Sequence, residues 1–472
     1  MSSLAAFLSR CEADPGRAAI IEGTGRAISF GDLAEASGRL AAAWRRRGLG
    51  RGDRVLMALP FGLDLYVGLA AVWRCGAVVV LPEPAMGLQG VRHAARATAP
   101  KAFLASGWLK GLRWVTPELW RVPLILGIDE RSAVGDPLAS LADTAPALIS
   151  FTSGSTGPPK AIVRSHGLLA AQNAAVSDLL DGRGDPASDL VAFPVFVLAN
   201  LAVGNTSVLP AWNVRRHDRA GVDVIAAQVR AHRITRALVP PVICETMAES
   251  GLDLGLLAIM TGGGPVFPDV LTRLTAIAPG AEITAVYGST EAEPIAHVSV
   301  ADISPEDWAR MRAGGGLLAG HPVAATSVRM ADDEILVTGA HVNKGYLDPS
   351  HDAHTKVIRD GEIWHRTGDA GRFDDQGRLW LLGRRDGMVG EMFPFMAEAA
   401  ARSWPGVRRA ALIERAGRPA LVIEPTGRPQ EAAWRTAAAG IGELAILTVP
   451  AIPLDRRHRS KVDMAALRRM VG

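Results

Sequence analysis

The sequence predicts an α/β protein in which a large N-terminal domain of doubly wound sheets precedes a small, mobile α+β domain. Three observations support this prediction. Short apolar runs alternate with helical patterns up to about residue 290, several of these runs end in glycine-bearing polar loops, and short strands joined by turns follow from about residue 320. At 472 residues the chain is also too long for a single compact core.

The N-terminal half shows the alternation most clearly. Residues 63–74 carry apolar side chains at helical spacing, and residues 77–81 form an uninterrupted valine-rich run that is typical of a buried parallel strand. The pattern then repeats along the chain. It predicts further strands at 53–59, 102–105, 124–127, 237–240, 256–260 and 282–286, and further helices at 32–47, 91–97, 166–180 and 222–232.

Residues 190–214 contain no charged side chain. A membrane-spanning helix needs about 20 consecutive apolar residues, but prolines, asparagines and a glycine break this segment into short pieces. We therefore expect buried strands and a loop that lines an apolar pocket, and no membrane span.

The composition is that of a globular protein, with 48% apolar and 21% charged residues. A net charge of +3 without any lysine tract does not favour nucleic acid as a partner. The three cysteines, Cys11, Cys75 and Cys244, are far apart, so a disulfide framework or a zinc cluster is not expected. This cysteine usage, with an N-terminus that lacks signal-peptide features, predicts a cytoplasmic protein.

One loop has the composition of a phosphate-binding site. An apolar run at 145–149 leads into Ser150-Phe151-Thr152-Ser153-Gly154-Ser155-Thr156-Gly157-Pro158-Pro159-Lys160. Glycines let backbone N–H groups turn toward an anion, hydroxyls add donors, and Lys160 supplies a positive charge, so a nucleoside triphosphate is the natural ligand. A polar surface turn has no need of this glycine spacing. A Walker loop ends in Gly-Lys-Ser/Thr, whereas Lys160 stands between Pro159 and Ala161.

Two further predicted strands end in glycine-bearing polar loops. The strand at 256–260 leads into Thr261-Gly262-Gly263-Gly264-Pro265, and the strand at 282–286 leads into Tyr287-Gly288-Ser289-Thr290-Glu291. Ligands of open α/β sheets gather at the carboxyl ends of the strands, so we expect these loops to converge on one site.

The domain boundaries follow from a change of pattern. Short antiparallel strands predict a β subdomain at about residues 320–385, which completes an N-terminal domain of residues 1–385. The composition becomes arginine-rich near Arg385. Short strands and helices beyond it predict a small C-terminal domain of residues 386–472.

These motifs, in this order, resemble those of the adenylate-forming superfamily of acyl-CoA synthetases, luciferase and peptide-synthetase adenylation domains. They are Thr152-Ser153-Gly154-Ser155-Thr156-Gly157 with Lys160, Gly263-Gly264-Pro265, the 287–291 loop, Thr367-Gly368-Asp369, Gly383-Arg384 and Lys461. The resemblance covers nearly the whole chain. Phe193-Pro194-Val195-Phe196, His365-Arg366-Thr367 and Asp455-Arg456-Arg457-His458 are similar to the fatty-acid-CoA-ligase-like branch that contains the β-lactone synthetases of olefin biosynthesis.

The resemblance implies that a carboxylate attacks the α-phosphate of ATP and gives an acyl-adenylate and pyrophosphate. It implies that residues 152–157 and Lys160 hold the β- and γ-phosphates. The nucleoside would be bound by Gly263, Gly264, Pro265, Tyr287, Gly288, Ser289, Asp369 and Arg384. In this set Tyr287 offers an aromatic face to adenine, and Asp369 and Arg384 contact the ribose hydroxyls.

The resemblance also implies three catalytic residues. Thr290 would hydrogen-bond the α-phosphate, Glu291 would bind Mg²⁺, and Lys461 would neutralise charge on the carboxylate and the α-phosphate. Thr152 is the second candidate ligand of Mg²⁺. Without the family pattern, Glu291 would be interpreted as a solvated carboxylate and Lys461 as a surface lysine.

The acyl pocket is expected at Phe193, Phe196, Asn200 and Asn205. The phenylalanines suit an apolar chain, whereas the two asparagines either meet a substrate hydroxyl or cap backbone groups. Asp386 stands where family members swivel the small domain, so it is the predicted hinge.

The sequence leaves the second half-reaction open. After Gly387 the family commonly carries a basic, glycine-containing segment that helps to receive CoA or a carrier arm, whereas residues 388–395 are acidic and apolar here. CoA is therefore in doubt, and both thioester formation and closure of a β-lactone by the substrate's own β-hydroxyl stay open.

The expected partner is a small carboxylic acid, with an acyl carrier or a pathway enzyme as a further option, and the oligomeric state is not predicted. Two alternatives belong to other classes: a non-catalytic nucleotide-binding relative, and an ATPase or kinase that releases ADP.

Overall fold

The computed structural model describes residues 3–130, 141–152, 159–180, 188–455 and 460–472. The chain divides into two compact units. Unit 1 comprises Met1–Ala211, His232–Ile234 and Ala340–Lys356, and unit 2 comprises Trp212–Ala231, Thr235–Gly339 and Val357–Gly472. Both units combine β-sheet with helices, which confirms the predicted α/β class.

Unit 1 is built on two sets of strands. They are β1 (Ala18–Ile21), β2 (Ala27–Ser29), β3 (Arg54–Ala58), β4 (Val78–Leu81), β5 (Ala102–Ala105), β6 (Leu124–Leu126), β7 (Pro146–Thr152), β8 (Lys160–Ser165), β9 (Ser188–Val191) and β10 (Thr206–Val208). Six of them form a sheet in the order β6-β5-β3-β4-β7-β8, parallel except for the antiparallel pair β7 and β8. The other four pair in the order β9-β10-β1-β2.

The helices of unit 1 cover these sheets. They are α1 (Ser3–Ala13), α2 (Phe30–Arg46), α3 (Leu63–Arg74), α4 (Leu88–Thr98), α5 (Leu112–Val115), α6 (His166–Leu180) and α7 (Pro194–Val203). Helix α3 begins and ends at the predicted residues and is buried along nearly its whole length. Its apolar character on every side is typical of a helix enclosed by other elements.

The prediction of strands and a loop at 190–214 was wrong for its central part, which forms α7. Pro194 occupies the first turn, where a missing N–H has no cost, and Gly204 ends the helix in the left-handed region at φ +88°. The segment is apolar on all sides, so its periodicity does not distinguish a buried helix from buried strands. Among the described residues, no helix is both long and apolar enough to cross a membrane.

Unit 2 contains a long run of paired strands and a separate small sheet. The strands are β11 (Arg236–Val239), β12 (Ala258–Gly262), β13 (Glu282–Ser289), β14 (Ala292–Ser299), β15 (Leu317–Pro322), β16 (Ser327–Ala331), β17 (Glu334–Thr338), β18 (Lys356–Arg359), β19 (Glu362–Phe373), β20 (Leu379–Arg384), β21 (Val407–Arg415), β22 (Arg418–Pro425) and β23 (Ala445–Thr448). The long run has the order β16-β17-β19-β20-β15-β14-β13-β12-β11. Strands β11, β12 and β13 are parallel, and the strands from β13 to β16 along this order pair antiparallel.

The helices of unit 2 are α8 (Val222–His232), α9 (Pro241–Ser250), α10 (Pro268–Ile277), α11 (Pro305–Arg312), α12 (Pro394–Ala401), α13 (Glu431–Ala438) and α14 (Met464–Val471). The last three pack with the small sheet β21-β22-β23 into an α+β region at the C-terminus. Both sides of the predicted boundary at residues 385 and 386 lie within unit 2. The swivelling role of Asp386, which lies in a short 3-10 helix (Arg385–Gly387), stays a prediction.

Candidate active site

Two of the predicted loops lie at neighbouring strand ends in unit 2. Strands β12 and β13 are parallel, and Gly262 at the end of β12 lies opposite Val286. The predicted loop at residues 287–291 was wrong for Tyr287, Gly288 and Ser289. They continue β13 because β14 returns antiparallel beside it, and Thr290 and Glu291 form the turn between the two strands.

The glycines after β12 allow a close approach of the C-terminal region. Gly263 has a φ of +74°, in the left-handed region that favours glycine. A Cβ on Gly264 would lie 2.6 Å from Cβ of Ser460, closer than real atoms approach. Ser460 directly precedes Lys461, so the residue before the predicted catalytic lysine lies against this glycine loop.

The segment that carries Lys461 is held by Asp455. Its carboxylate oxygen Oδ1 accepts hydrogen bonds from the backbone N–H groups of Ser460 at 3.1 Å and Lys461 at 3.0 Å, and its own N–H donates to the carbonyl of Lys461 at 2.8 Å. This turn fixes the backbone at Lys461, whose side chain is exposed. Residues 456–459 between them lie outside the described residues.

Tyr287, Asp369 and Arg384 come together although they are far apart in the chain. The hydroxyl of Tyr287 donates to Oδ2 of Asp369 at 2.8 Å, and the guanidinium of Arg384 donates to Oδ1 at 3.3 Å. Asp369 and Arg384 are also cross-strand partners in β19 and β20. Burial and the neighbouring charge of Asp369 raise the pKa of Tyr287 well above its ordinary value, so its hydroxyl stays protonated and donates.

The bend before Asp369 needs a glycine for two reasons. Gly368 has a φ of +71°, and a Cβ there would lie 2.5 Å from a guanidinium nitrogen of Arg384. Thr367 closes the bend, since its hydroxyl accepts from the N–H of Asp369 at 3.0 Å. The Thr-Gly-Asp motif therefore sets both the direction of the carboxylate and the position of the arginine.

Glu334, which was not predicted as a site residue, holds this motif in place. Glu334 is 4% exposed; its Oε1 accepts from the N–H of Gly368 at 3.1 Å, and its Oε2 accepts from Arg366 Nε at 2.9 Å and from Arg385 at 3.3 Å. The pairing raises the pKa of the Arg366 guanidinium. The sequence signal for this role is a glutamate at the start of a largely apolar strand. Such a glutamate does not identify its partners, which lie more than 30 residues away in the chain.

The β13–β14 turn and the residue before it carry side-chain oxygen atoms that could bind a ligand or a metal ion. Thr290 and Glu291 are half-buried, and the neighbouring Oγ of Ser289 is buried with no hydrogen-bond partner among the described residues. Such an unpaired atom has a free-energy cost that a polar ligand atom removes. Within the described ranges no three His, Cys, Asp or Glu side chains are grouped to hold a metal ion. A hydroxyl and a single carboxylate fit Mg²⁺ that takes its other ligands from phosphate oxygens and water.

In unit 1, the described ends of the predicted phosphate loop are Thr152 and Lys160. They lie opposite each other in the antiparallel pair β7 and β8, so the loop joins two strands rather than a strand and a helix. Of the other loop residues, Ser153, Gly154, Ser155, Thr156 and Gly157 lie outside the described residues.

Lys160 is positioned by a segment around Tyr346 that was not predicted to belong to the site. Its Nζ lies 5.5 Å from the ring centre of Tyr346, and Nζ of Lys356 lies 5.3 Å from the same ring. The N–H of Leu347 donates to the carbonyl of Ala161 at 2.9 Å, which ties this segment to β8. The tyrosine ring therefore attracts two lysine charges by cation–π interaction at the end of the loop.

The predicted pocket residues of unit 1 lie in and around α7. Phe193 and Phe196 contact each other with ring centres 5.7 Å apart. Asn200 is fully buried, and its amide donates to Asp189 Oδ2 at 2.8 Å and to Ser207 Oγ at 3.1 Å. This arrangement favours a structural role for Asn200. Asn205 is 8% exposed and follows Gly204 at the end of the helix, where its N–H donates to the carbonyl of Asn200 at 2.9 Å.

Comparison with known proteins agrees with the fold. Two curated relatives are olefin β-lactone synthetases. The one from Stenotrophomonas maltophilia is 29% identical over 93% of this chain and 90% of its own length. The one from Xanthomonas campestris is 29% identical over 82% and 78%, respectively. The solved o-succinylbenzoate coenzyme A synthetase of Bacillus subtilis, in complex with ATP and magnesium, matches 98% of this chain and 99% of its own, with a TM-score of 0.79 and 20% identity.

The fold and the strand-end motifs together define an adenylate-forming ligase, an enzyme that uses ATP to activate a carboxylic acid as its acyl-adenylate. The family description "AMP-binding enzyme" matches residues 7–347, and the chain belongs to this family.

Proposed function

We propose that this enzyme adenylates a β-hydroxy acid with an apolar chain and then closes the acyl-adenylate to a β-lactone. The observation that carries the adenylation step is the group formed by Tyr287, Asp369 and Arg384, with the segment before Lys461 against the glycine loop at Gly264. Asp369 keeps lone pairs for ribose hydroxyls beyond the two bonds it accepts from protein.

Each chemical step follows from charge and position. A carboxylate oxygen of the acid forms a bond to the α-phosphorus while the bond to pyrophosphate breaks. Thr290 donates to the α-phosphate, and Lys461 offsets the charge that accumulates there. Glu291 and Thr152 are the proposed ligands of Mg²⁺, which neutralises phosphate charge when bound. Lys160, held over Tyr346, binds the departing pyrophosphate.

The second step needs no external acceptor. The β-hydroxyl oxygen of the substrate attacks the acyl carbon, its proton leaves to solvent, and AMP departs, so the product is the acid less one water. An intramolecular attack has a large entropic advantage over the capture of a separate thiol.

Two observations support lactone closure over thioester formation. The first is the similarity to two olefin β-lactone synthetases, over 90% and 78% of their lengths. The second is the packing of the segment after Gly387. Phe393 is 8% exposed and packs against Ala370 and Leu382, and Phe395 packs edge-on against Phe267 at 6.0 Å. The start of the segment is exposed at Met388, Gly390 and Glu391, but none of residues 388–395 is basic, so the segment offers no positive charge to the phosphates of CoA.

A panel of β-hydroxy acids incubated with ATP and Mg²⁺, with and without CoA, tests the proposal. We expect AMP, pyrophosphate and a product lighter than the acid by one water, at equal rates with and without CoA. Strict dependence on CoA would establish thioester formation instead. Release of ADP would identify an ATPase or kinase. The cytoplasmic location, and any acyl carrier or pathway partner, stay predictions.

A further inference from the structure

Three tryptophans are exposed on one short segment of unit 1. The segment runs between β5 and β6 and contains a 3-10 helix (Gly107–Gly111), helix α5 and a second 3-10 helix (Pro117–Leu119), which contact one another in turn. Trp108 is 81% exposed, Trp114 75% and Trp120 61%, with Val115 beside them at 63%. Large aromatic rings are costly to leave in water, so a group of them is typical of a binding surface. We call these four residues the tryptophan patch.

The segment is anchored to the core by its other residues. Leu119 and Val122 are buried in a cluster with Phe103, and Leu109 and Leu112 pack against the same cluster. Aliphatic residues therefore face inward and tryptophans outward along one stretch of chain. The exposure of the patch is therefore a consequence of a packed scaffold.

The charge is positive along the stretch of chain that contains the patch. Residues 88–130 contain six lysines and arginines against three acidic residues. Each acidic residue is paired: Glu118 with Arg92 and Arg96, Asp129 with Lys110, and Glu130 with Arg47. Arg113 and Arg121 form no ion pair within the described part of the chain, and Arg113 lies 5.7 Å from the ring of Trp114.

We propose that the tryptophan patch docks on the surface of a lipid bilayer that contains anionic phospholipids. Tryptophan prefers the boundary between headgroups and acyl chains, where its ring is in an apolar medium and its N–H meets water. Arg113 and Arg121 attract the phosphates of the anionic headgroups. The patch forms no membrane span, so the binding is peripheral and reversible. It requires no particular reaction at the active site.

Sedimentation of the full chain with vesicles tests this proposal. One set of vesicles is phosphatidylcholine alone, and the other is phosphatidylcholine with roughly equal phosphatidylglycerol. We expect binding to the anionic vesicles, and a loss on the order of tenfold or more in the triple variant Trp108→Ser, Trp114→Ser, Trp120→Ser. Arg113→Gln with Arg121→Gln is expected to weaken binding by about fivefold per residue, at roughly 1 kcal/mol each, and added salt to do the same.

Ile358→Ser is the matched control, since Ile358 is 73% exposed but lies in unit 2. It is expected to bind as the wild type does. Vesicles with brominated acyl chains should quench part of the tryptophan fluorescence of the wild type. They should quench much less of the fluorescence of the triple variant, which lacks the three patch tryptophans. The proposal is overturned if the wild type ignores both vesicles, which would assign the patch to a protein partner, or if the triple variant binds unchanged. Thermal unfolding and pyrophosphate exchange should be unchanged in the variants. A loss of vesicle binding then comes from the substituted surface and not from unfolding.

Discussion

Unit 2 contains two buried charge clusters that differ in which charge is enclosed. At the ribose-binding motif the buried group is an acid, Glu334, and its partners Arg366 and Arg385 are each 41% exposed. At the C-terminal region the buried group is a base. Arg402, at the end of α12, is 5% exposed and pairs with Glu245 of α9 at 2.9 Å and Asp269 of α10 at 2.8 Å.

The two clusters therefore depend differently on their partners. If Glu334 loses its charge, its arginines can still reach water. If Arg402 is removed, Glu245 and Asp269 remain mostly enclosed, because their side chains are only 12% and 19% exposed. Burial opposes the charge of Glu245, but Arg402 and Arg409 outweigh it and hold its pKa below the ordinary value. The first cluster positions a binding motif, and the second fixes α12 and the region that follows it.

The largest effect is expected from Arg402→Met, which should lower the free energy of unfolding by about 3 kcal/mol or more because it removes the buried base that pairs with both acids. Glu245 then keeps Arg409 as a partner, and Asp269 keeps Arg273. Urea denaturation measures this loss. Arg435→Met is the control, since Arg435 pairs with Glu431 on the surface of α13 at 68% and 51% exposure. Its loss should stay within about 0.5 kcal/mol. Equal losses in both variants would refute the role of the enclosed cluster.

The next effect comes from Glu398, a carboxyl of α12 enclosed in the C-terminal core. Burial raises its pKa from 4.5 to about 7, despite the N–H of Leu412 and the charge of Arg402. The folded pKa is raised, so the cost of ionisation is absent at low pH, grows between about pH 4.5 and 7, and is complete above pH 7. Glu398→Gln should therefore stabilise the protein by about 3 kcal/mol at pH 8 and by much less at pH 5.

Thermal unfolding of wild type and Glu398→Gln across this pH range checks the sign. Glutamine keeps an acceptor for the N–H of Leu412 but adds two N–H donors at the buried site. The change of the difference with pH therefore isolates the effect of the charge. A difference that grows as the pH falls would contradict the assignment.

Glu334→Gln should raise the KM for ATP by roughly tenfold to a hundredfold, since a charge-assisted hydrogen bond contributes about 1.5–3 kcal/mol. Its effect on unfolding should be smaller than that of Arg402→Met. Pyrophosphate exchange at varied ATP measures the KM. A change in stability with no change in KM would show that Glu334 holds the sheet without positioning Asp369.

The smallest effect is expected at Tyr346. Tyr346→Leu removes the ring under Lys160 and should weaken ATP binding by about 1 kcal/mol, or roughly fivefold, whereas Tyr346→Phe keeps the ring and should change little. Equal effects of the two substitutions would exclude the cation–π contact as the cause.

Sequence patterns predicted those elements whose hydrophobic period is clear. Helices α3 and α6 and strand β5 have the predicted bounds. Helix α7 was not predicted because an apolar segment without charges shows no alternation of polar and apolar residues that would distinguish a helix from a strand. The motif residues Tyr287, Asp369 and Arg384 were identified from the family resemblance, and the structure brings them together. Glu334 and Arg402 were not found, because they contact residues up to 157 positions away, which local spacing cannot reveal.

The most direct test of the central claim is exchange of labelled pyrophosphate into ATP across a panel of β-hydroxy acids, with wild type and Lys461→Ala. We predict acid-dependent exchange in the wild type and a loss of roughly a hundredfold to a thousandfold in the variant, as is typical when one group that stabilises developing charge is removed. Thermal unfolding should show that the variant is folded, since Lys461 is exposed. Absence of exchange with every acid, or equal exchange in Lys461→Ala, would contradict the account.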